Sequence, residues 1–366
     1  MTAADTSGGV AGRILGERSL EDMEALLARS NRGDEGPLHT VPTSTTARFT
    51  WDYTKGARPR LAKLYEKAKG AMWNGETDLP WDTPIDQEKL VLLSQTGADP
   101  VIDFSGTPVA RWGEREWLAF GIEGQNWMLS QFLHGEQGAL LCTAKIVETV
   151  PWADAKYFAA TQVMDEARHA EVFDRYLSKL SGRYPVNAHL GMLLDDILTD
   201  SRWDLTYLGM QIMVEGLALA AFGFMAQLTP EPLLQQLLHL VMADEARHVA
   251  FGVLSLQEVY RDMSGAEIRE RQEFAFEAAV RMRDRLLQQE VWERMEVDPK
   301  LVVPLLYRSP EQVQFQRVLF SKIVPNCKKL GLLDAGDGRL RARFGELGVL
   351  EFEDWEDTGV EVLGIA

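Results

Sequence analysis

The sequence predicts an all-α protein whose centre is a four-helix bundle, with extra N- and C-terminal helices. Between about residues 112 and 295, Ala, Leu, Met, Glu and Arg dominate and runs of β-branched residues are scarce, which is typical of long helices. The pentapeptide DEARH occurs twice in this stretch, at Asp165–His169 and Asp244–His248, which indicates a duplicated helical unit. Turn-favouring sequences divide the stretch into helix-sized segments; they are Pro151, Gly182–Asn187, Thr229–Pro232 and Met263–Gly265.

The chain divides into four regions. Residues 1–45 mix Gly, Ser, Thr and charge, and we expect a mobile tail with one short helix at SLEDMEALLAR, capped by Ser19. Residues 46–109 should wrap around the bundle, with LYEKAKGAMW helical and TDLPWDTPID extended. Residues 110–295 form the bundle, and AEIRERQEFAFEAAVRMRDRLLQQEVWERM predicts one long amphipathic helix in it. Residues 296–366 add a helix near EQVQFQRVLFSKIV, which should stop at Pro325, and a polar tail.

Composition and charge exclude several classes of partner. The 38 basic and 55 acidic residues give a formal net charge of -17, which disfavours nucleic acid and anionic membrane surfaces. The N-terminal sequence lacks the apolar run of a signal peptide, and GLALAAFGFMAQL, too short to span a bilayer, predicts a core helix. Cys142 and Cys327 form no C-x-x-C pair, so we expect two buried thiols in a cytoplasmic protein.

The repeat extends beyond the pentapeptide. An offset of 79 residues relates the two copies of DEARH, and the same offset relates Glu136 to Glu215 and Pro151 to Pro230. In each copy, the single Glu precedes the Glu of DEARH by 30 residues. This interval fits two antiparallel helices joined by a short turn.

The repeated residues predict a site for two metal ions. Residues at positions i and i+3 share a helix face, so each DEARH presents a Glu and a His together. The helices around the single Glu residues are apolar, and buried unpaired carboxylates would be very costly. Two divalent cations remove that cost, and the alternative is a duplicated bundle that has lost its metal. The predicted ligands are Glu136, Glu166, His169, Glu215, Glu245 and His248.

The other residues of DEARH should support the histidines. A metal-bound imidazole usually donates its second N–H to an outer carboxylate. We expect Asp165 and Asp244 to do this, each for the histidine of the other copy, with Arg168 and Arg247 paired to them. The alternative is a plain surface salt bridge.

Positions one turn from the ligands outline a candidate substrate pocket. Most are apolar, which would admit an apolar molecule beside the ions. The pocket residues are Phe132, Ala139, Leu140, Phe173, Gln211, Ala218, Leu219, Phe222 and Gly252. Glycines at 135, 138, 216 and 252 are costly in helix interiors, and they indicate either open space or close helix packing.

The six predicted ligands, with Asp and Arg inside each D-E-x-R-H, resemble the ferritin-like diiron-carboxylate superfamily, over roughly residues 110–285. The resemblance implies an enzyme that holds two Fe ions and uses O₂ to hydroxylate, desaturate or N-oxidise an apolar small molecule. It also implies a homodimer and an external ferredoxin or flavoprotein reductase. Mn/Fe or Mn/Mn, as in a manganese catalase, and a radical-bearing or metal-storage subunit stay open as alternatives.

Three departures narrow the resemblance. Phe173 occupies the place of the radical tyrosine of ribonucleotide reductase small subunits, which argues against a tyrosyl-radical subunit. Val241 replaces the extra histidine of aminobenzoate-type N-oxygenases. Ala218 and Leu219 stand where hydrocarbon monooxygenases and soluble desaturases often place a Thr, which puts that proton relay in doubt.

Overall fold

The computed structural model describes residues 38–54, 56–95, 102–307 and 310–355. The predicted helix that begins near Ser19 lies outside these residues, and the described part of the chain contains helices and loops but no β-strand. In chain order its α-helices are α1 Pro59–Gly70, α2 Gln87–Gln95, α3 Glu114–Thr149, α4 Ala153–Leu177, α5 Ala188–Thr199, α6 Trp203–Tyr207, α7 Glu215–Leu228, α8 Pro232–Tyr260, α9 Gly265–Asp284, α10 Gln289–Arg294, α11 Pro299–Tyr307, α12 Pro310–Lys329 and α13 Arg339–Glu346.

Four of these helices form the central bundle. Helix α3 packs along α4, and α7 packs along α8, because only a few residues connect the members of each pair. The two pairs meet where α4 contacts α8, and α1 lies across both of these helices. The predicted bundle with additional helices at both ends is therefore confirmed among the described residues.

The helix boundaries follow the predicted turns. Helix α3 ends at Thr149, just before Pro151. Helix α8 begins at Pro232, where the Glu231 carboxylate accepts hydrogen bonds from the backbone N–H groups of Leu233 at 2.8 Å and Leu234 at 2.7 Å. These boundaries fix where each helix begins and ends. They therefore fix the positions along the bundle axis of the residues that face its centre.

The most apolar segment of the chain lies inside this bundle. Helix α6, a π-helix at Leu208–Val214 and α7 run on without a break, so the helical stretch is longer than GLALAAFGFMAQL alone. By length and composition, Trp203–Leu228 could cross a membrane, but 78% of its apolar window is buried within the protein. The stretch is the core helix that the sequence predicts. Cys142 and Cys327 are buried free thiols, also as expected.

One helix predicted as continuous is broken. The prediction of a single helix from α9 through α10 is wrong, because Arg285–Leu287 forms a 3₁₀ turn and Gln288 adopts a left-handed conformation with φ 53°. Beyond this break, Glu290 accepts hydrogen bonds from Trp127 Nε1 at 2.9 Å and Asn187 Nδ2 at 2.7 Å. These contacts hold α10 in its new direction after the break. Amphipathic periodicity does not predict them.

A second prediction also fails near the C-terminus. Helix α12 was expected to stop at Pro325, but it continues through that proline to Lys329. A proline inside a helix removes one hydrogen bond, which can bend the helix without ending it. The buried side chains of Val324, Asn326 and Cys327 on either side of the proline hold this turn against the core.

Candidate metal centre

Each helix of the bundle contributes to one buried cluster. Glu136 comes from α3, and Glu215 is the first residue of α7, directly after the π-helix. Glu166 and Glu245, each with the histidine three residues later, face the cluster from α4 and α8. None of the six residues exposes more than 5% of its surface.

The six residues form two overlapping donor sets. Glu136, Glu166, His169 and Glu245 offer ligand atoms that all lie within 4.8 Å of one another. Glu166, Glu215, Glu245 and His248 do the same. Because the sets share Glu166 and Glu245, two metal ions could lie side by side between these two carboxylates. Glu136 and Glu215 would then each serve one ion.

The two nitrogens of each imidazole face different partners. His169 Nδ1 lies 3.2 Å from both Glu136 Oε2 and Glu245 Oε1, and His248 Nδ1 lies 3.1 Å from Glu166 Oε1. On the far side of each ring, His169 Nε2 lies 3.0 Å from Asp244 Oδ2, and His248 Nε2 lies 3.2 Å from Asp165 Oδ2. An aspartate that accepts the Nε2 proton leaves the Nδ1 lone pair directed at the cluster.

Arginines and a tryptophan hold the aspartates. Arg168 Nη2 donates to Asp165 at 2.5 Å and to Asp244 at 2.9 Å, and Arg247 donates to Asp244. Trp73 Nε1 donates to Asp244 Oδ2 at 2.7 Å, and the Trp73 ring stacks near His169 with ring centroids 6.4 Å apart. The four charged groups are buried, so they are not the surface salt bridge that was the alternative.

The charges and unpaired atoms of the cluster fit two divalent cations. Four buried atoms have no hydrogen-bond partner among the described residues: Glu166 Oε2, Glu215 Oε2, Glu245 Oε2 and His248 Nδ1. The four glutamates and two aspartates carry six negative charges, and the two DEARH arginines carry two positive ones. The remaining four charges equal those of two divalent ions. Oxygen and imidazole nitrogen donors suit iron and manganese.

The pKa values show the same need for positive charge. Burial, and next the charge of Glu245, raise the pKa of Glu136 and that of Glu215 well above their usual range. Burial alone would lower the pKa of His169, but hydrogen bonds, first that to Asp244, raise it well above its usual range. Burial of these carboxylates therefore favours a compensating positive charge, which bound cations would supply.

Several of the predicted pocket residues pack against one another. Phe132, Phe173 and Phe222 make an aromatic layer. The ring centroid of Phe132 lies 4.6 Å from that of Phe222 and 6.0 Å from that of Phe173. Gly252 packs against Gln211, because a Cβ at position 252 would lie 2.7 Å from Gln211 Cβ. Of the others, Ala139 and Leu219 are buried, and Leu140 and Ala218 are partly buried.

Comparisons with known proteins show that the fold is a known one. No family model and no curated protein sequence matches the chain. A solved R2-like ligand-binding oxidase with an anaerobically reconstituted Mn/Fe cofactor matches with a TM-score of 0.51 and 17% identity, covering 77% of this chain and 95% of that chain. The chain shares the fold of the R2-like ligand-binding oxidases.

Two further structures of the same kind agree. An R2-like oxidase variant with a non-activated Mn/Mn cofactor has a TM-score of 0.51, 17% identity and coverage of 75% of this chain and 94% of that chain. Another variant with a Mn/Fe cofactor has a TM-score of 0.50, 18% identity and coverage of 75% and 93%. These likenesses confirm the ferritin-like, all-α fold class that the sequence predicts.

Within this R2-like fold, sequence reasoning missed one central polar residue. The amide of Gln162, completely buried on α4, donates hydrogen bonds from Nε2 to Glu166 Oε1 and Glu215 Oε1, each at 2.9 Å. Gln162 lies one turn before Glu166 on the same helix face, and this spacing was the available signal. The repeat concealed it, because the equivalent position in the second copy is Val241.

Proposed function

We propose that this protein is an oxidoreductase that binds two transition-metal ions and uses O₂ to oxidise a largely apolar organic substrate. One observation carries the proposal: two donor sets of three carboxylates and one imidazole share Glu166 and Glu245 in the centre of the bundle. A site of this kind brings two ions close enough to act on one molecule of O₂.

The ions that we propose are two irons, or one manganese and one iron. Three carboxylates and one imidazole for each ion suit either metal. The R2-like oxidases of the same fold carry Mn/Fe or Mn/Mn cofactors according to their descriptions, which supports keeping manganese in the proposal. When bound, the ions would supply the electrons that reduce O₂ and the oxidising power that acts on the substrate.

The residues of the chain would have distinct roles around the ions. Glu166 and Glu245 would bridge them, and Glu136 and Glu215 would each bind one. His169 and His248 would bind through Nδ1, because Asp244 and Asp165 hold the Nε2 protons. These aspartates fix the orientation of each imidazole, so that Nδ1 is directed at the ion.

Other residues would control the surroundings. Gln162 holds Glu166 and Glu215 through hydrogen bonds at 2.9 Å, which restricts how far either carboxylate can turn. The layer of Phe132, Phe173 and Phe222 provides an apolar boundary next to the ligands, which would limit the access of water to the oxidant.

We further propose that the protein works as a cytoplasmic homodimer and receives electrons from a separate ferredoxin or flavoprotein reductase, or from its substrate. The support for a separate electron donor comes from the cysteines of the chain. Its two cysteines are both buried and far apart in sequence, so they do not provide the four-thiolate ligand set of an iron–sulfur cluster.

O₂ uptake by loaded protein tests the proposal. Metal-free protein is loaded anaerobically with ferrous iron, with manganese, or with both, and is then mixed with O₂ and a chemical reductant. We expect O₂ consumption that requires bound iron and that disappears in Glu166→Ala, but not in Glu171→Ala on the exposed face of the same helix.

Other outcomes would replace the proposal. Rapid disproportionation of hydrogen peroxide by manganese-loaded protein, without O₂ uptake by the iron-loaded form, would indicate a catalase. Uptake of many irons per chain into a large shell of subunits would indicate metal storage.

A further inference from the structure

A line of polar residues follows the most apolar helical stretch of the chain. Asp204 and Tyr207 lie on α6, Gln211 lies on the π-helix, and Glu215 begins α7. Successive members are three or four residues apart, so they follow one another along one side of the continuous helix. All four residues are buried. Buried polar groups are costly unless they are hydrogen-bonded, so each of them needs a partner.

The facing helix α8 lies along the same line. A Cβ at Gly252 would lie 2.7 Å from Gln211 Cβ, so the glycine leaves space for the Gln211 side chain. Ser255, three residues further along α8, faces Tyr207. Burial raises the pKa of the Tyr207 phenol, and the contact with Ser255 partly offsets this rise. We call Asp204, Tyr207, Gln211 and Ser255 the polar seam between the two helices.

Three members of the polar seam lack hydrogen-bond partners for their side chains among the described residues. The atoms concerned are both amide atoms of Gln211 and the hydroxyl oxygens of Tyr207 and Ser255. None of these three residues exposes more than 1% of its surface. Nearly all buried polar groups in proteins have a partner, and a buried water typically makes about three hydrogen bonds to such groups. The unpartnered atoms therefore point to bound water.

The spacing of the polar seam fits single water molecules between its members. Positions three or four residues apart on a helix are separated by about 4.5–6 Å along its axis. One water with two hydrogen bonds of about 2.8 Å spans such a gap. The seam also includes part of the π-helix at Leu208–Val214, and π-helical turns occur frequently at functional sites.

The outer end of the polar seam reaches the surface through an ion pair. Asp204 accepts hydrogen bonds from Arg271 Nε at 2.9 Å and from Arg271 Nη2 at 3.1 Å. Arg271 Nη1 also donates to Glu270 Oε2 at 3.0 Å, and the Glu270 side chain is 59% exposed. At its inner end the seam meets Glu215, about 16 Å along the helix from Asp204. The seam therefore connects the surface with a carboxylate of the cluster.

We propose that the polar seam holds a water wire, a hydrogen-bonded row of water molecules, that carries protons from the surface to Glu215. Each water accepts one proton and releases another, so the row is unchanged after every transfer. The hydroxyl groups of Tyr207 and Ser255 can both donate and accept, and Gln211 would hold the last water before Glu215.

The proposed function gives these protons a use. The reduction of O₂ consumes one proton for each electron that the external reductant supplies, and the buried cluster must receive those protons through the protein. The use of the protons therefore rests on the proposed function, but the presence of the bound water does not.

A high-resolution crystal structure of the metal-free protein tests the water wire without any reaction. We expect ordered waters within about 3.2 Å of the Gln211 amide and of the Tyr207 and Ser255 hydroxyl groups. Gln211→Leu, which keeps the size of the side chain but removes its polar atoms, should lack at least one of these waters. Seam side chains that bond directly to one another, with no water between them, would overturn the proposal.

Ser130→Ala is the matched control. The Ser130 hydroxyl is as deeply buried, but it donates to Asn126 O at 2.7 Å and accepts from the Tyr184 backbone N–H at 3.0 Å. Its bonds are made within the protein, so this variant should keep every water of the seam. Loss of the same waters in Ser130→Ala and Gln211→Leu would show that the waters do not depend on the seam, and would overturn the proposal.

The solvent isotope effect tests proton delivery. O₂ consumption by protein loaded with iron or with both metals is measured in H₂O and in D₂O. We expect Gln211→Leu to retain both ions, to consume O₂ about tenfold more slowly and to show a larger isotope effect, because proton transfer becomes the slowest step. Ser130→Ala should keep the isotope effect of the unmodified protein. A Gln211→Leu protein that lacks the water but shows an unchanged isotope effect would overturn the proton path.

The two proposals fail in different ways. If the chain binds no metal, the proposed function fails, but the waters of the seam remain measurable in the metal-free protein. If the seam holds no water, this inference fails, whereas the metal content and the O₂ uptake of the loaded protein still stand by themselves.

Discussion

His248 Nε2 lies 3.2 Å from Asp165 Oδ2, although the two residues belong to different copies of the repeated motif. The reciprocal pair, His169 with Asp244, lies at 3.0 Å. Each copy therefore supplies the aspartate that orients the histidine of the other copy. The two halves of the cluster are interlocked, so a change in one copy should affect the ion held mainly by the other.

Asp165→Asn tests this exchange. The amide cannot accept the Nε2 proton of His248 as a carboxylate does, so we expect metal affinity at the His248 set to fall about tenfold to a hundredfold. Competition with a chelator, with one ion released before the other, measures the effect. Asp174→Asn is the control, because Asp174 is half-exposed on the same helix and pairs with Arg183. Equal loss in both variants would contradict the exchange.

Gln162→Leu tests the residue that bridges two carboxylates. Without its hydrogen bonds at 2.9 Å, Glu166 and Glu215 lose their positioning, and we expect affinity at the Glu215 set to fall about tenfold. The number of ions retained after desalting should drop from two towards one. Gln137→Leu, at an exposed position beside Glu136, should retain both ions. A Gln162→Leu protein that also retains both would show that the amide only fills space.

Glu215→Gln should weaken metal binding and raise the stability of the metal-free protein. In the metal-free protein, burial and the neighbouring charges of Glu245 and Glu166 raise the pKa of Glu215, so a neutral amide removes an unfavourable charge. We expect the free energy of unfolding of the metal-free variant to rise by about 1–2 kcal/mol, while binding of the second ion is lost. Chemical denaturation and metal analysis measure the two effects. Glu171→Gln, exposed on α4, should change neither.

Two glycines in the bundle helices should respond to alanine in opposite ways. A Cβ at Gly252 would lie 2.7 Å from Gln211 Cβ, a rigid part of the π-helix, and Gly252→Ala should destabilise the protein by about 1–3 kcal/mol. A Cβ at Gly135 would meet nothing within 4 Å, so Gly135→Ala should stabilise α3 by about 0.5–1 kcal/mol. Thermal unfolding compares the two. A shift in the same direction for both would contradict this distinction.

The repeat made the centre of the bundle predictable. The sequence contains two copies of E-x-x-H and two single glutamates, related by the same offset of 79 residues. This pattern predicts six polar residues on inward helix faces, and all six lie in the two donor sets. The fold class followed from helix-favouring composition and from turn residues such as Pro151. In both cases the sequence pattern that supports the prediction is local or is repeated along the chain.

The remaining features depend on contacts between distant residues. The hydrogen bond from Trp73 to Asp244 joins residues 171 positions apart, and no local pattern indicates it. The break at Gln288 depends on where Glu290 meets Trp127 and Asn187. The π-helix before Glu215 inserts an irregular turn into a sequence with ordinary helical composition. Helix periodicity records none of these tertiary contacts.

The most direct test of the central claim is the number of metal ions that each chain retains. Metal-free protein is loaded anaerobically with ferrous iron and manganese, desalted and analysed by mass spectrometry, beside the double variant Glu166→Ala with Glu245→Ala. We predict about two ions per chain in the unmodified protein and none in the double variant, because both donor sets share these carboxylates. No retained ion in the unmodified protein, or equal retention in the double variant, would contradict the account.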